Sequence, residues 1–447
     1  MSYFQQKLAN TQHHAADLLM QLQTLHGLVF LYDQNQPIIA FLPQQYLLCQ
    51  ATHTQRFEQV AFNQYQLTDS AYSATDFVRF DQTNAAPSDE FCGGYIGFLS
   101  YDYSAQPIVA NSQRVQPSLY LGKYLSYLRF EAEAWYFCST DEQAEAIFAQ
   151  LQALLKQQEL HSDTFYLHEA CSPRWSKPQY MNAFHKIQDY IKAGDCYQIN
   201  LTQEFTATAQ GSLLNTAKQL WQLTHAPYAG YLQLDEFELL SCSPELFIEF
   251  QANRQIKTRP IKGTMPRFDD AEQDRLSKQK LSQSEKDQAE NLMIVDLLRN
   301  DLSVYAETGS VKTTQLFEIE SFNQVHHMVS EITARLKAEV HPMQMLLSAL
   351  PGGSITGAPK IRAMQIIEEL EGAPRGAYCG SLGYFNFDGT GRWNILIRSI
   401  QKYQNHVSLW AGGGITIGSD AEAEYQECFD KISAILDLLN TWQKKDV

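Results

Sequence analysis

Three consecutive stretches, AYCGSLGYFNF (377–387), WNILIRSIQKY (393–403) and HVSLWAGGGITI (406–417), decide the fold. Each is rich in β-branched, aromatic and small apolar residues, and short polar turns separate them, so they read as successive strands. Working outward, residues 420–442 carry helical spacing behind Ser419, a candidate N-cap. Upstream, 197–205 and 238–250 read as strands. Residues 285–301 read as a helix whose apolar middle, 292–298, calls for burial. A further helix is expected over 360–370, with Pro359 at its first position. Residues 143–159 also have helical spacing, and 161–177 read as a polar connection. Strands in runs with helices between them indicate an α+β protein and not a regular βαβ winding.

The chain has 447 residues, 44% of them hydrophobic, and a net charge of -16. That is ample for a sizeable core. With no basic cluster, the acidic balance argues against nucleic acid or an anionic membrane as partner. Eight cysteines stand singly with no CxxC pair, the pattern of reduced, cytosolic protein. The N-terminus lacks an apolar signal region, and no apolar run reaches the length of a transmembrane helix. A cytoplasmic location is expected.

Chemistry concentrates after residue 175. Two glycine-rich loops, PGGSITGAPK (351–360) and AGGGITIGS (411–419), are expected to run straight into helices. Glycine admits a ligand close to the backbone, and a helix N-terminus offers free N–H groups to an anion, so two such cradles suit a dicarboxylate. The first stretch lacks the Lys-Ser/Thr of a nucleotide-binding P-loop. Ordinary tight turns are the plain alternative. In the last helix Glu424, Glu427 and Lys431 fall within an arc of about 60°. Alone they would be a surface pair, worth a few tenths of a kcal/mol. Beside a bound anion, carboxylates need a bridging cation, and Mg²⁺ is the one that takes one or two protein carboxylates and keeps its waters. Glu290, expected to open the apolar 292–298 helix, is either favoured there by the helix dipole or a second metal ligand. His327, in VHHMVS, is structural or chemical. Lys262, in TRPIKGT (258–264), would be a neutral nucleophile if poorly solvated near another cation, and an ordinary surface lysine otherwise.

GDCYQINL (194–201), SPELF (243–247), TRPIKGTMPR (258–267), ENLMIVDLLRNDL (290–302), VHHMVS (325–330), PGGSITGAPKIRAMQIIEEL (351–370), ILIRS (395–399), AGGGI (411–415) and EAEYQECFDK (422–431) together resemble the chorismate-binding enzymes. That family includes anthranilate, aminodeoxychorismate, isochorismate and salicylate synthases. The resemblance is dense over 175–440 and weaker upstream, at GGYIGFLSYD (93–102). It implies an α+β fold of two large antiparallel sheets packed as a sandwich with helices outside. An N-terminal region (1–165) and a chorismate-binding catalytic region (170–442) would form one intertwined body. It further implies Mg²⁺ held by Glu290 and Glu427, with Glu424 acting through water. Arg398 and Tyr378 would hold the enolpyruvyl carboxylate, and Gly412, Gly413, Gly414 and Lys431 the ring carboxylate region. Ser354 and Thr356 would line the first glycine stretch, His327 would lie near the ring, and Glu245 would be the general acid for the C4 hydroxyl.

Within the family, Lys262 stands where anthranilate synthases usually have alanine. Gln198 stands where the water-using members carry a lysine base. Both point to the aminodeoxychorismate synthase branch, which aminates chorismate at C4 through a covalent lysine intermediate. The alternatives are anthranilate synthase component I and an isochorismate or salicylate synthase. Residues 28–37 lack the LLES-type element of tryptophan-regulated relatives. Free ammonia is mostly protonated at neutral pH, and no amidotransferase motif is present, so a separate glutamine amidotransferase subunit is the expected partner.

Overall fold

The computed structural model describes residues 3–444 apart from 9–13, 34–35, 52, 81–89, 157–163 and 323–324. It contains a 13-stranded and a 12-stranded sheet, and strands within each sheet pair antiparallel. Alternation of side chains along the strands sorts the core into layers. In strand Val29–Asp33, Val29 and Leu31 face one cluster while Phe30 faces another. The first of these clusters also holds Ile96, Phe98 and Leu382 from the other sheet, so it lies between the sheets. Phe30 belongs to the cluster formed with helices on the outer face of the 13-stranded sheet. A third cluster packs Ile294, Val295 and Leu298 of helix Glu285–Ser303 on the outer face of the 12-stranded sheet. The α+β sandwich with outer helices is therefore observed, and its inner strands are apolar on both faces.

In each sheet the N-terminal strands form one side and the C-terminal strands the other, and they meet at one junction. Strand Val29–Asp33 pairs with Tyr228–Leu234, and Gly94–Leu99 pairs with Ser381–Asn386.

Several local expectations are corrected. The stretch 238–250 is two strands, Phe237–Ser243 and Leu246–Phe250, in different sheets. The stretch 393–403 likewise divides into Gly391–Asn394 and Ser399–Tyr403. The apolar run 395–397 hid the second crossing, and the apolar stretches on either side of Pro244–Glu245 hid the first. The final helix is two, Ala421–Asp430 and Ser433–Asn440. Its cap is Asp420, whose carboxylate accepts from Ala423 N, and not Ser419. Pro359 occupies the N-cap of helix Lys360–Glu371, one place earlier than expected. Leu292 is 46% exposed, so the apolar middle of its helix is buried on one face only. Glu290 lies in the second turn of that helix and does not open it. Helix Ala144–Lys156 forms as expected, while 157–159 and 161–163 lie outside the described residues. All eight cysteines are free, and among the described residues no helix is long and apolar enough to cross a membrane.

Candidate active site

The two sheet crossings lie side by side. Ser243 Oγ donates to Ile395 O at 2.6 Å, and Ile395 N donates to Glu245 O at 3.2 Å. Glu245 and Arg398, far apart in sequence, are thus delivered to the same seam. Arg398 has a φ of 50°, a left-handed conformation that costs a non-glycine residue energy and clusters at functional sites.

Lys262 reaches this seam through a β-bulge. Strand Ile261–Pro266 pairs with Val325–Arg335, but Ile261 opposes Val329 while Thr264 opposes His327, leaving one extra residue between. Gly263 takes that turn with a φ of 78°, and a Cβ there would meet Leu281 Cδ1 at 2.8 Å and Asp287 Cγ at 2.9 Å. A bulge breaks the alternation and re-aims its side chain. Burial, with the Lys431 charge adding, pushes the Lys262 amine down against the pull of Glu290, Glu245 and Glu427. Burial pushes the Glu245 carboxyl up to about 7 despite Lys262 and Arg398. Both shifts favour the uncharged forms, a neutral amine beside a neutral acid.

The carboxylates approach from two helices. Glu424 and Glu427 project from Ala421–Asp430 onto Gly413: a Cβ built there would stand 3.0 Å from Glu424 Oε2 and 3.1 Å from Glu427 Oε1. Glu290 faces them from Glu285–Ser303 and shares the field of Lys262 and Glu427. Burial raises Glu290 and Glu424. Burial also acts upward on Glu427, but Lys431 and Lys262 outweigh it and hold this carboxyl low. Lys431 Nζ sits 2.6 Å from Glu427 Oε1 and donates to Gly412 O at 2.7 Å. Among the described residues no group of three or more His, Cys, Asp or Glu forms a ready metal cage. The glycine-floored space with paired carboxylates suits a cation that brings its own waters.

Gly412, Gly413 and Gly414 lie inside strand His406–Thr416 and not in a loop. They pair with Thr202, Leu201 and Asn200. Pairing to Ser399–Tyr403 ends at Leu409, so the other edge is open from there. Thr416 sends its N–H to Ser419 Oγ and takes Gln188 Nε2 on its carbonyl, off that edge. By strand alternation Gly414 and Gly412 present their backbone groups to the same side. Gln198 stands over Gly414, and its buried Nε2 has no hydrogen-bond partner. A buried donor without a partner is a place for a ligand acceptor.

The remaining candidates surround this centre. His327 is bonded through Nδ1 to Thr264 Oγ1 at 2.9 Å, and burial with the Arg398 charge pushes it down to about 4, so it is neutral. Tyr378 is buried and stacks on Trp410 at 5.9 Å. Ser354 is half-buried, whereas the Thr356 hydroxyl is fully buried and donates to Gly352 O at 2.9 Å. A cavity of about 1180 Å³ borders the seam, with Arg398, His327 and Ile261 in its wall. Lys262, Glu290, Glu424 and Glu427 are not among its lining residues.

Residues 30–437 match the family model of chorismate binding enzymes. The chain belongs to that family. It is similar to aminodeoxychorismate synthase component 1 of Klebsiella aerogenes, 44% identical over 80% of both chains. It is likewise similar to that of Escherichia coli (strain K12), 42% identical over 77% of both. These relatives make it an enzyme of the component 1 type. Among solved structures it resembles anthranilate synthase component I from Streptococcus pneumoniae TIGR4, with a TM-score of 0.76 and 27% identity, covering 90% of this chain and 92% of that one.

The candidate site also contains residues the sequence reading passed over. Lys286 lies one helical turn before Glu290, 3.9 Å from it, and its field reaches Glu424 and Glu427. The i,i+4 spacing was the available clue. Arg375 and Glu371, a buried pair behind the glycine stretch, gave none: in sequence they are a helix-end acid and a loop arginine.

Proposed function

We propose that this chain aminates chorismate at C4 to give 4-amino-4-deoxychorismate, the precursor of para-aminobenzoate in folate biosynthesis. The observation that carries the proposal is Lys262: a bulge aims it into the seam beside Glu245, and burial favours its neutral amine. Lys262 Nζ attacks C2, both double bonds of the ring diene shift toward C4, and the C4 hydroxyl leaves as water with the Glu245 proton. Ammonia then attacks C4, both ring double bonds shift back, and the C2–N bond breaks to return the lysine amine. The proton shed by the new C4 ammonium returns to Glu245. Two displacements in sequence leave the amine at C4 and the enolpyruvyl group intact.

Glu290 and Glu427 would hold Mg²⁺, with Glu424 acting through water. Bound there, Mg²⁺ would neutralise a substrate carboxylate and stabilise charge on the ring system. Arg398 and Tyr378 would orient the enolpyruvyl carboxylate. The open edge of Gly412–Gly414, with Lys431, would receive the ring carboxylate, and Ser354, Thr356 and His327 would complete the walls. Gln198 offers no base to activate water at C2. Ammonia would come from a separate glutamine amidotransferase subunit.

The test uses the purified chain with chorismate, Mg²⁺ and an ammonium salt at mildly alkaline pH, with the downstream lyase added. 4-Aminobenzoate should form, and glutamine should replace ammonium only once an amidotransferase is present. Anthranilate with pyruvate, or isochorismate, would contradict the proposal.

Glu245 also sets the pH dependence. Its acid form dominates below about 7 and is lost as pH rises through that value. The rate normalised to free NH₃ should therefore fall on the alkaline side. Glu245→Gln should lower kcat by about 10²–10⁴-fold, the usual contribution of a general acid, and remove that alkaline limb. A pH–rate series on both forms checks this, and an unchanged limb in the variant would reassign the acid.

A further inference from the structure

Behind the glycine stretch lies an ion pair that no step above uses. Arg375 and Glu371 are 1% and 2% exposed, among the least accessible charged side chains described. A fully buried pair loses so much hydration that it is a poor source of stability compared with apolar packing. Its presence calls for another reason, and the hydrogen bonds supply one.

The guanidinium reaches in two directions. Nε and Nη2 hold both oxygens of Glu371, at 2.8 and 2.7 Å. Nη1 donates to Ile355 O at 2.8 Å, and Nη2 to Asn200 O at 2.9 Å. Ile355 lies between Ser354 and Thr356, and Asn200 opposes Gly414 across the strand pair. Glu371 extends the grip, accepting from Thr202 N at 3.0 Å and Thr202 Oγ1 at 2.6 Å, and Thr202 opposes Gly412. Asn200 Nδ2 adds a second donor to Ile355 O at 3.1 Å. The cationic carbon lies 5.9 Å from the ring of Tyr378, and 4.7 Å from that of Tyr101 behind it. One planar group thus touches the glycine stretch, the strand facing Gly412–Gly414, and the aromatic wall.

We propose that Arg375 and Glu371 are positioning residues that fix the first glycine stretch and the glycine-bearing strand at the spacing chorismate requires. The inference rests on the reading that these two elements bind chorismate. The pair touches no substrate; it sets the distance between the two groups that do. A lysine at 375 would keep the charge but could not serve a carboxylate and two diverging carbonyls together, since only the rigid fork does so.

The test is steady-state kinetics of Arg375→Lys and Glu371→Gln with saturating ammonium, alongside thermal melting. Chorismate KM should rise at least tenfold in the first and at least threefold in the second, with kcat within about threefold of wild type. A folded variant with a lowered melting midpoint but unchanged KM would make the pair a stability element and overturn the proposal. If Arg375→Lys fails to fold, Asn200→Ala, which removes only the second donor to Ile355 O, should still raise KM, and an unchanged KM there overturns it equally. A wild-type chain that leaves chorismate untouched would remove the functional reading itself, a failure distinct from a KM that does not move.

Discussion

Lys262→Ala should lose amination by on the order of a thousandfold or more, the scale seen when a covalent nucleophile is removed, while keeping chorismate affinity within about tenfold. The reason lies in the coupling of Lys262 to Glu245. In water an amine and a carboxyl near pH 7 would be an ion pair. In this seam burial lowers the one and raises the other, which shifts the balance toward the neutral pair. These are the forms the first step consumes: an unprotonated nucleophile and a protonated acid. Binding of chorismate, on the proposed reading, would draw instead on Arg398, Lys431 and the open glycine edge, which the substitution leaves in place. Lys262→Arg sharpens the test, because a guanidinium restores the positive charge but stays protonated. It should be as inactive as the alanine variant. Ammonium-dependent turnover and chorismate binding by calorimetry check both, and turnover within tenfold of wild type in either would remove the nucleophile assignment.

Glu427→Gln should abolish activity and weaken Mg²⁺ binding. Changing a residue that merely supports a metal ligand costs about 10–100-fold in affinity, and a direct ligand should cost more. Glu427 is the best placed of the three carboxylates. Lys431 and Lys262 hold it ionised, whereas burial raises Glu290 and Glu424. It also shares the floor at Gly413 with Glu424, so its loss leaves one carboxylate there. Calorimetry or Mn²⁺ paramagnetic resonance on the variant reads binding separately from turnover. A fully active variant with an unchanged Mg²⁺ requirement would dismiss the assignment.

Much of this was legible in the sequence, for reasons that can be located. Local alternation and spacing mark strands such as His406–Thr416 and helices such as Ala144–Lys156, because those patterns lie within one element. The sheet crossings at Pro244–Glu245 and at 395–398 were not legible. Strand-like apolar sequence flanks the first and runs through 395–397 of the second, and only the pairing of remote strands shows that the chain changes sheet. The aim of Lys262 was also hidden, since it follows from a bulge defined by the register of the opposite strand. Motif order supplied the names of the site residues, but their convergence is a property of the two seams. The Arg375–Glu371 pair lay beyond reach because its meaning depends on carbonyls of Ile355 and Asn200, which carry no side-chain signature.

The most direct measurement is the position of the incoming nitrogen. Wild-type chain, chorismate, Mg²⁺ and ¹⁵N-ammonium would be incubated together and the products analysed by NMR and mass spectrometry. The account predicts ¹⁵N bonded to C4 in a product that retains the enolpyruvyl group. ¹⁵N at C2, or in anthranilate with pyruvate released, would contradict it.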